Sequence, residues 1–334
     1  MSDAIRIGVL GTGGIAGRAL LEPAQQMPEV AVTAVGSRTP ERAEAFAAEH
    51  GIGRATTYEG LLQDPDIDVV YITLPPSLHA EWSIRAMEAG KAVLCEKPLA
   101  SNAEEAAAID TSALRTGGVF LEAFHYHHHP LARRLRDLVG ARAIGTIERV
   151  EAGFSIPERF IRPGNIRLDG SLGGGALMDA GCYPVHAVRH LLGEPEVVGA
   201  TATTSDDDPR VDVASSADLR FPGGATGTVS ADFQGDETAE VELVLEGSRG
   251  RLAVTSLYVP QWGGRLRGEW DGHQFEEPVD LTPTYVFQLQ DLVRVVRDGA
   301  PVLTTAADGV RTMAVIDACY TAAGLEPRAG SLVA

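Results

Sequence analysis

Short apolar runs recur through the first third of the chain, and each is followed by a longer stretch with helical spacing. The runs Ile5–Leu10, Val30–Val35, Val69–Leu74, Ala92–Cys95 and Val119–Glu122 read as strands. Between them, Gly14–Met27, Pro40–His50, Ser77–Ala89 and Ala103–Arg115 read as helices. Strands separated by helices at this spacing predict right-handed βαβ units and a parallel sheet. Thr39 before Pro40 has the form of an N-cap followed by proline at the first helical position. Glu59-Gly60 and Asp64-Pro65 break a shorter helical piece.

Near Glu122 the pattern changes. A helix at about Leu131–Val139 leads into strand-like runs with no helices between most of them: Ile147–Ile156, Val197–Thr203, Val211–Phe221, Ala225–Phe233, Val241–Glu246 and Gly250–Val254. Turn signals such as Pro222-Gly-Gly and Ser248-Arg-Gly separate them. Strands joined by short turns predict an antiparallel or mixed sheet. Two helices, about Tyr285–Asp298 and Ala306–Ala323, close the chain. The expected fold class is α/β, with a first domain over residues 1–125 and a second domain over 126–334. The boundary falls near residues 123–128, and the last helices are candidates to pack back on the first domain.

Composition narrows the function classes. A chain of 334 residues, 44% hydrophobic and 22% charged, is long enough for two domains and has a globular balance. Its formal net charge of −18 argues against nucleic-acid and anionic-membrane partners, both of which call for basic surface. No apolar run reaches membrane-span length, and no secretory leader is legible. Cys95, Cys182 and Cys319 are far apart and make no Cys-x-x-Cys pair, so they read as small buried hydrophobes. The expected compartment is the cytoplasm.

The first strand runs straight into Gly11-Thr12-Gly13-Gly14-Ile15-Ala16, a Gly-x-Gly-x-x-Ala turn that opens a helix. In that context Gly11 allows a sharp turn, Gly13 allows close approach of a pyrophosphate, and Ala16 lets the helix pack on its strand. The helix amides then face the phosphates. The second strand ends in Ser37-Arg38, where NAD-selective sites place Asp or Glu. A guanidinium there suits a 2′-phosphate. The expected cofactor is therefore NADP, with NAD a possible second.

Two further segments carry candidate chemistry. Glu96-Lys97-Pro98 follows the buried run Ala92–Cys95, at the sheet edge where ligands of open α/β folds bind. Leu172-Gly-Gly-Gly-Ala-Leu-Met-Asp179-Ala-Gly181-Cys-Tyr183-Pro-Val-His186 is a glycine-rich turn entering a helix. At helical spacing Asp179, Tyr183 and His186 share a face. A dipole-favoured Asp179 and a satisfied core tyrosine would account for the same segment without chemistry. The histidine-rich stretch Glu122-Ala-Phe-His125-Tyr126-His127-His128-His129 holds no neighbouring carboxylate or cysteine at convincing metal spacing. Arg162, Asn165 and Arg167 precede the glycine-rich turn and are candidates for substrate hydroxyls or a phosphate.

Taken together, the nucleotide fingerprint, Glu96-Lys97-Pro98 and Gly-Gly-x-x-x-Asp179-x-Gly181 resemble the Gfo/Idh/MocA oxidoreductase family. The resemblance runs from Ile5 to about Ala323, and Thr73-Leu74-Pro75-Pro76-Ser77-Leu78-His79 resembles its loop beside the cofactor. It implies a Rossmann domain followed by an α/β domain with a large open mixed sheet, and metal-free chemistry. Where many members carry a catalytic histidine, this chain has Tyr183, and His186 stands where they carry a second Asp. That pattern resembles the tyrosine branch of the family, with glucose–fructose oxidoreductase, dimeric dihydrodiol dehydrogenase and sugar 3-ketoreductases.

The resemblance implies hydride transfer between nicotinamide and an alcohol or ketone on a sugar-like ring. Tyr183 is then the acid–base group, with Lys97 drawing its pKa down and Asp179 orienting Lys97. Leu74, Pro75, His79, Glu96, Pro98 and Glu122 are expected to border the cofactor. His125, Arg167, Asp179 and His186 are expected to meet the substrate. A homodimer or homotetramer is expected. The alternatives are a trans-dihydrodiol dehydrogenase, a glycoside-processing enzyme that recycles its hydride, and a nonenzymatic nucleotide sensor.

Overall fold

The computed structural model describes residues 4–162, 164–235 and 242–332. Strands β1 (Ile5–Leu10), β2 (Val30–Gly36), β3 (Arg54–Thr56), β4 (Val69–Ile72), β5 (Ala92–Cys95) and β6 (Phe120–Glu122) form one sheet. Its order is β3-β2-β1-β4-β5-β6 and every pairing is parallel. The strand order reverses between β1 and β4, so the chain ends of these strands diverge and leave a crevice. Helices Pro40–His50, His79–Glu88 and Ala103–Thr116 are among the crossovers, with Gly17–Leu21/Glu22–Ala24 linking β1 to β2 and Tyr58–Gln63 linking β3 to β4.

A second sheet contains β7 (Ile147–Pro157), β8 (Glu196–Thr204), β9 (Asp212–Arg220), β10 (Thr226–Gly235), β11 (Leu243–Gly247), β12 (Gly250–Thr255), β13 (Arg265–Trp270) and β14 (His273–Glu277). Its order is β14-β13-β12-β11-β7-β10-β9-β8. Only β7 and β10 run parallel, and the other pairs are antiparallel. The fold is thus a parallel Rossmann sheet joined to a large mixed sheet.

The core ties the two sheets together. One apolar cluster runs from Leu10, Ile72 and Trp82 through Phe124 and Tyr183 to Val150, Leu245 and Leu252 on the large sheet. A second cluster covers the opposite face of the Rossmann sheet, where Ile5, Ile7, Val9 and Tyr71 meet Tyr285, Val286, Leu289, Leu292 and Val295. Those last residues lie on helix Thr284–Asp298, which therefore packs on the first sheet. Helix Ala306–Ala322 lies along Ala103–Thr116, and Asp317 Oδ2 accepts from the Ala103 amide at 2.8 Å.

Two local departures have physical causes. The helix expected over Gly14–Met27 is present over residues 15–24 but contains a π segment, Gly17–Leu21, followed by Glu22–Ala24. Pro23 has no amide to give to Ala19, and the Glu22 amide reaches back five residues to the Gly17 carbonyl. The hairpin β13–β14 escaped the sequence pattern because its faces carry mostly charge. Arg265 and Arg267 pair across it with Glu276 at 2.6 and 2.9 Å, while Trp270 and Phe275 meet edge to face. Cys95, Cys182 and Cys319 are free and buried, and no described helix is long and apolar enough to cross a membrane.

Candidate active site

The crevice is built from the carboxyl ends of β1, β2, β4 and β5. Gly11 has φ +108°, and its amide donates to the Gly36 carbonyl at 2.9 Å, which locks the turn to β2. Gly13 is fixed by β4 as much as by any ligand, because a Cβ there would lie 2.7 Å from the Thr73 carbonyl oxygen. Above Gly14 nothing lies within 4 Å, and Ala16 is fully buried against the strand. Thr12, Gly13 and Ile15 are half-buried along this open turn. The cradle fits a dinucleotide pyrophosphate: a glycine turn, open space above it, and the strand-order reversal beside it.

Ser37 is buried at the end of β2, with its amide donating to Thr56 O at 3.1 Å, while Arg38 is exposed. Sequence reading missed Arg42. It lies in the first turn of helix Pro40–His50, and its Nη2 donates to Thr12 Oγ1 at 3.3 Å. Arg42 therefore joins the glycine turn to the helix that follows β2, and Arg38 stands exposed just before that helix. The spacing of four between Arg38 and Arg42 was the available signal.

His79 proves to be a brace. Its Nδ1 lies 2.9 Å from Pro98 O and its Nε2 2.8 Å from Leu74 O, so it ties the β4 loop, with Pro75, to the β5 loop. Burial lowers its pKa despite two carbonyl neighbours, so the ring is neutral and donates to one of them. The Lys97–Pro98 peptide is cis. Glu96 is buried and accepts from the Tyr71 hydroxyl at 2.5 Å. Burial pushes its carboxyl up, although Tyr71 and Lys97 oppose this.

Lys97 and Asp179 come together across the two sheets. The Lys97 ammonium donates to Asp179 O at 2.8 Å and to Oδ1 at 3.0 Å, and Arg167 Nε bonds Oδ2. Burial raises the Asp179 carboxyl, but Lys97 and Arg167 outweigh it and hold it at about 2. Burial likewise opposes the Lys97 charge, yet Asp179 keeps its pKa above the ordinary value. Lys97, Arg167 and Asp179 thus leave one net positive charge beside Tyr183.

The Lys97 ammonium lies 5.0 Å from the centre of the Tyr183 ring. The hydroxyl is bonded instead to His125 Nε2 at 2.8 Å, and His125 Nδ1 meets Thr284 Oγ1 at 2.8 Å. This corrects the expected titration. Burial drives the Tyr183 pKa well above its usual value, so the group is a neutral phenol. Burial and Lys97 keep His125 neutral too. Thr284, which had no sequence signal, completes the chain from the first turn of helix Thr284–Asp298.

Two other expected ligands turn inward. Glu122 is 1% exposed, its Oε2 is aimed toward Gly309, and neither carboxyl oxygen has a well-aligned hydrogen-bond partner among the described residues. Burial and Asp308 push its pKa far up, so it is an uncharged core acid rather than a cofactor contact. His186 is fully buried, with Nδ1 on the Tyr126 hydroxyl at 2.6 Å and Nε2 facing Asp308 Oδ2 at 3.4 Å. It sits behind Tyr183, with Nδ1 taken by Tyr126 and Nε2 directed at Asp308 rather than toward the crevice. Arg162 is exposed, and Asn165 accepts from the Arg167 amide at 3.1 Å.

The glycine triplet is a packing junction. Cβ atoms would collide with Pro76 at Gly173, with Arg167 O at Gly174, and with Asp212 and Arg328 at Gly175. A buried pair pins it: Arg328 donates to Gly174 O at 2.7 Å and to Asp212 Oδ1 at 2.6 Å, while Asp212 Oδ2 accepts from the Leu177 amide at 2.7 Å. The turn so held delivers Asp179 to Lys97 and Tyr183 to His125.

Comparison with known proteins agrees with this architecture. Residues 5–124 match the GFO/IDH/MocA oxidoreductase family with its NAD-binding Rossmann fold, and residues 132–253 match the family's C-terminal domain. A D-xylose 1-dehydrogenase (NADP(+)) of Haloferax volcanii is 38% identical over 95% of this chain and 96% of its own. The chain belongs to the GFO/IDH/MocA oxidoreductase family. The crystal structure of a 3-ketoreductase from Actinomadura kijaniata, in complex with NADP and TDP-benzene, superposes with a TM-score of 0.84. It is 33% identical over 96% of this chain and 98% of that one. An aldose–aldose oxidoreductase from Caulobacter crescentus superposes with a TM-score of 0.86 at 27% identity, over 96% and 98% of the two chains.

Proposed function

We propose that this chain is an NADP-dependent oxidoreductase that moves a hydride between the nicotinamide and a secondary alcohol or ketone of a sugar-like ring. The observation that carries the reading is the pairing of two units at one crevice: Lys97–Asp179–Arg167, and the buried phenol of Tyr183 on His125. When bound, the nicotinamide supplies or accepts the hydride. Arg38 and Arg42 hold the 2′-phosphate, and the turn Gly11–Ala16 holds the pyrophosphate. Leu74, Pro75 and Pro98, braced by His79, form the wall beside Lys97.

During reduction of a ketone, negative charge grows on the substrate oxygen. The net positive charge around Lys97 and Arg167 stabilises it in a site of low dielectric. Tyr183 then passes its proton to that oxygen. In the tautomer with its proton on Nε2, His125 donates to the Tyr183 oxygen and accepts from Thr284 through Nδ1. The phenolate left behind is thereby stabilised by a hydrogen bond. Oxidation of an alcohol is the reverse. Asp179 is a positioning group for Lys97, and Arg167 shares that task while it faces the substrate side.

The relatives support a sugar-like substrate, since one is named for D-xylose and another for a ketosugar reaction. Residues 1–125 serve as the nucleotide-binding unit and 126–334 as the substrate unit. The chain assembles as a homodimer or homotetramer through the face of the large sheet that carries Arg149, Glu151, Thr228 and Ser230, a shallow polar depression. Three free buried thiols fit a reducing compartment such as the cytoplasm. The test is an absorbance assay with NADPH and NADH against ketosugars, including nucleotide-linked ones, and with NADP against free aldoses. Turnover of one sugar class with preference for the phosphorylated cofactor is expected. Absence of turnover with every class would overturn the reading.

A further inference from the structure

Behind Tyr183 three histidines converge that the proposed reaction does not use. His186 and His190 stand four apart on helix Cys182–Leu192, so both rings project from one face. His127 reaches them from the 3-10 turn His125–His128. One ligand-competent atom from each of the three lies within 4.8 Å of the others. A carboxylate adjoins them: Asp308 Oδ2 is 3.4 Å from His186 Nε2 and 3.5 Å from His190 Nε2.

The hydrogen bonding around this cluster is incomplete in an informative way. His190 Nδ1 faces the His186 carbonyl at 2.9 Å and must donate to it. In the neutral ring, Nε2 then presents a lone pair toward Asp308 Oδ2, acceptor against acceptor. Asp308 Oδ1 is taken by Arg189 and Arg311 at 3.1 and 3.0 Å. Oδ2 and His186 Nε2 face each other at 3.4 Å, and neither has a well-aligned hydrogen-bond partner among the described residues.

We propose that His127, His186 and His190 bind a borderline divalent cation of the zinc class, with Asp308 Oδ2 on the same cation. Tetrahedral zinc with bonds of about 2.0–2.2 Å separates its ligand atoms by roughly 3.4 Å. The two distances to Asp308 already match that separation, and His127 closes the remainder. The bond from His190 Nδ1 to a carbonyl is the outer-shell brace that holds a ligating imidazole. Arg136 competes, because its Nη1 lies 3.2 Å from His127 Nδ1, and the cation displaces it. The side chain of His190 is 21% exposed and marks the way in. A bound cation would clamp the turn bearing His125 to the helix bearing Tyr183.

The test is calorimetric titration of the full chain, stripped with chelator, with Zn²⁺ alone, beside thermal melts with and without Zn²⁺. One Zn²⁺ per chain and a raised Tm are expected. His190→Asn, which keeps the polar volume, should weaken binding at least tenfold with an unchanged circular dichroism spectrum. Arg136→Ala should tighten it. No stoichiometric Zn²⁺ in the wild type, or equal affinity in His190→Asn, overturns the proposal. Neither readout depends on the sugar reaction.

Discussion

The chemistry rests on a few side chains whose environments set their charge. Asp179 and Lys97 shift apart in pKa because each stabilises the other's charge in a partly buried pair. Asp179 falls from 3.8 to about 2, so its contribution is present above pH 3.8 and lost as pH falls through about 2. The Lys97 pKa is raised above 10.5, so its contribution holds below that value and fades only in stronger alkali. The pair should therefore stay charged from about pH 4 to pH 10. Asp179→Asn removes the carboxylate that keeps Lys97 charged against burial, so activity should fall across that window and the alkaline limb of the pH–rate profile should move to lower pH. At the other end of the crevice, charge-assisted hydrogen bonds are worth about 1.5–3 kcal/mol. Arg38→Ala should thus weaken NADPH binding roughly 10- to 100-fold while changing NADH only slightly, as read by fluorescence titration. Equal losses for both nucleotides would remove the 2′-phosphate assignment.

At the scale of elements, the reactive groups are placed by braces that look unreactive. The buried Arg328–Asp212 pair holds the glycine triplet, and loss of one partner leaves an uncompensated charge. Arg328→Met should destabilise the fold by about 3–5 kcal/mol, read from denaturant midpoints. A different signature is expected where Asp317 caps the Ala103 amide. Burial raises its carboxyl to about 6. The folded chain then binds more protons than the unfolded one between pH 3.8 and about 6, so this group's contribution to stability declines as pH rises across that interval. Asp317→Asn should flatten that part of the stability profile, and an unchanged slope would contradict the assignment.

Much of this organisation was legible in the chain, for identifiable reasons. Continuous apolar strands with a glycine turn after the first gave β1, β2, β4, β5 and β6 to within a few residues. The spacing in Gly173–Tyr183 drew attention to Asp179 and Tyr183. Short or charged pieces such as β3, β13 and β14 were silent, because their stability comes from neighbours in the sheet and not from local pattern. Tertiary partners were silent too: nothing near Thr284, Asp212 or Arg328 marks them. Glu122 and His186 are buried, and a polar residue on such a segment looks the same from the sequence whether it faces the crevice or the core.

Across the whole molecule, the proposed active site is a seam between two sheets. Lys97 comes from the Rossmann sheet, Asp179 and Tyr183 come from the helix on the large sheet, and Thr284 comes from a helix that returns to the first. The apolar cluster that joins the sheets passes through Phe124 and Tyr183, so packing and chemistry share residues. The measurement that tests this account most directly compares wild type with Tyr183→Phe, using NADPH oxidation on the best ketosugar and NADPH titration on the same samples. Loss of a general acid typically costs 10²- to 10⁴-fold. The account predicts a fall in kcat of at least about 100-fold with NADPH affinity unchanged. Near-normal turnover by Tyr183→Phe, with cofactor bound as tightly as in the wild type, would contradict it.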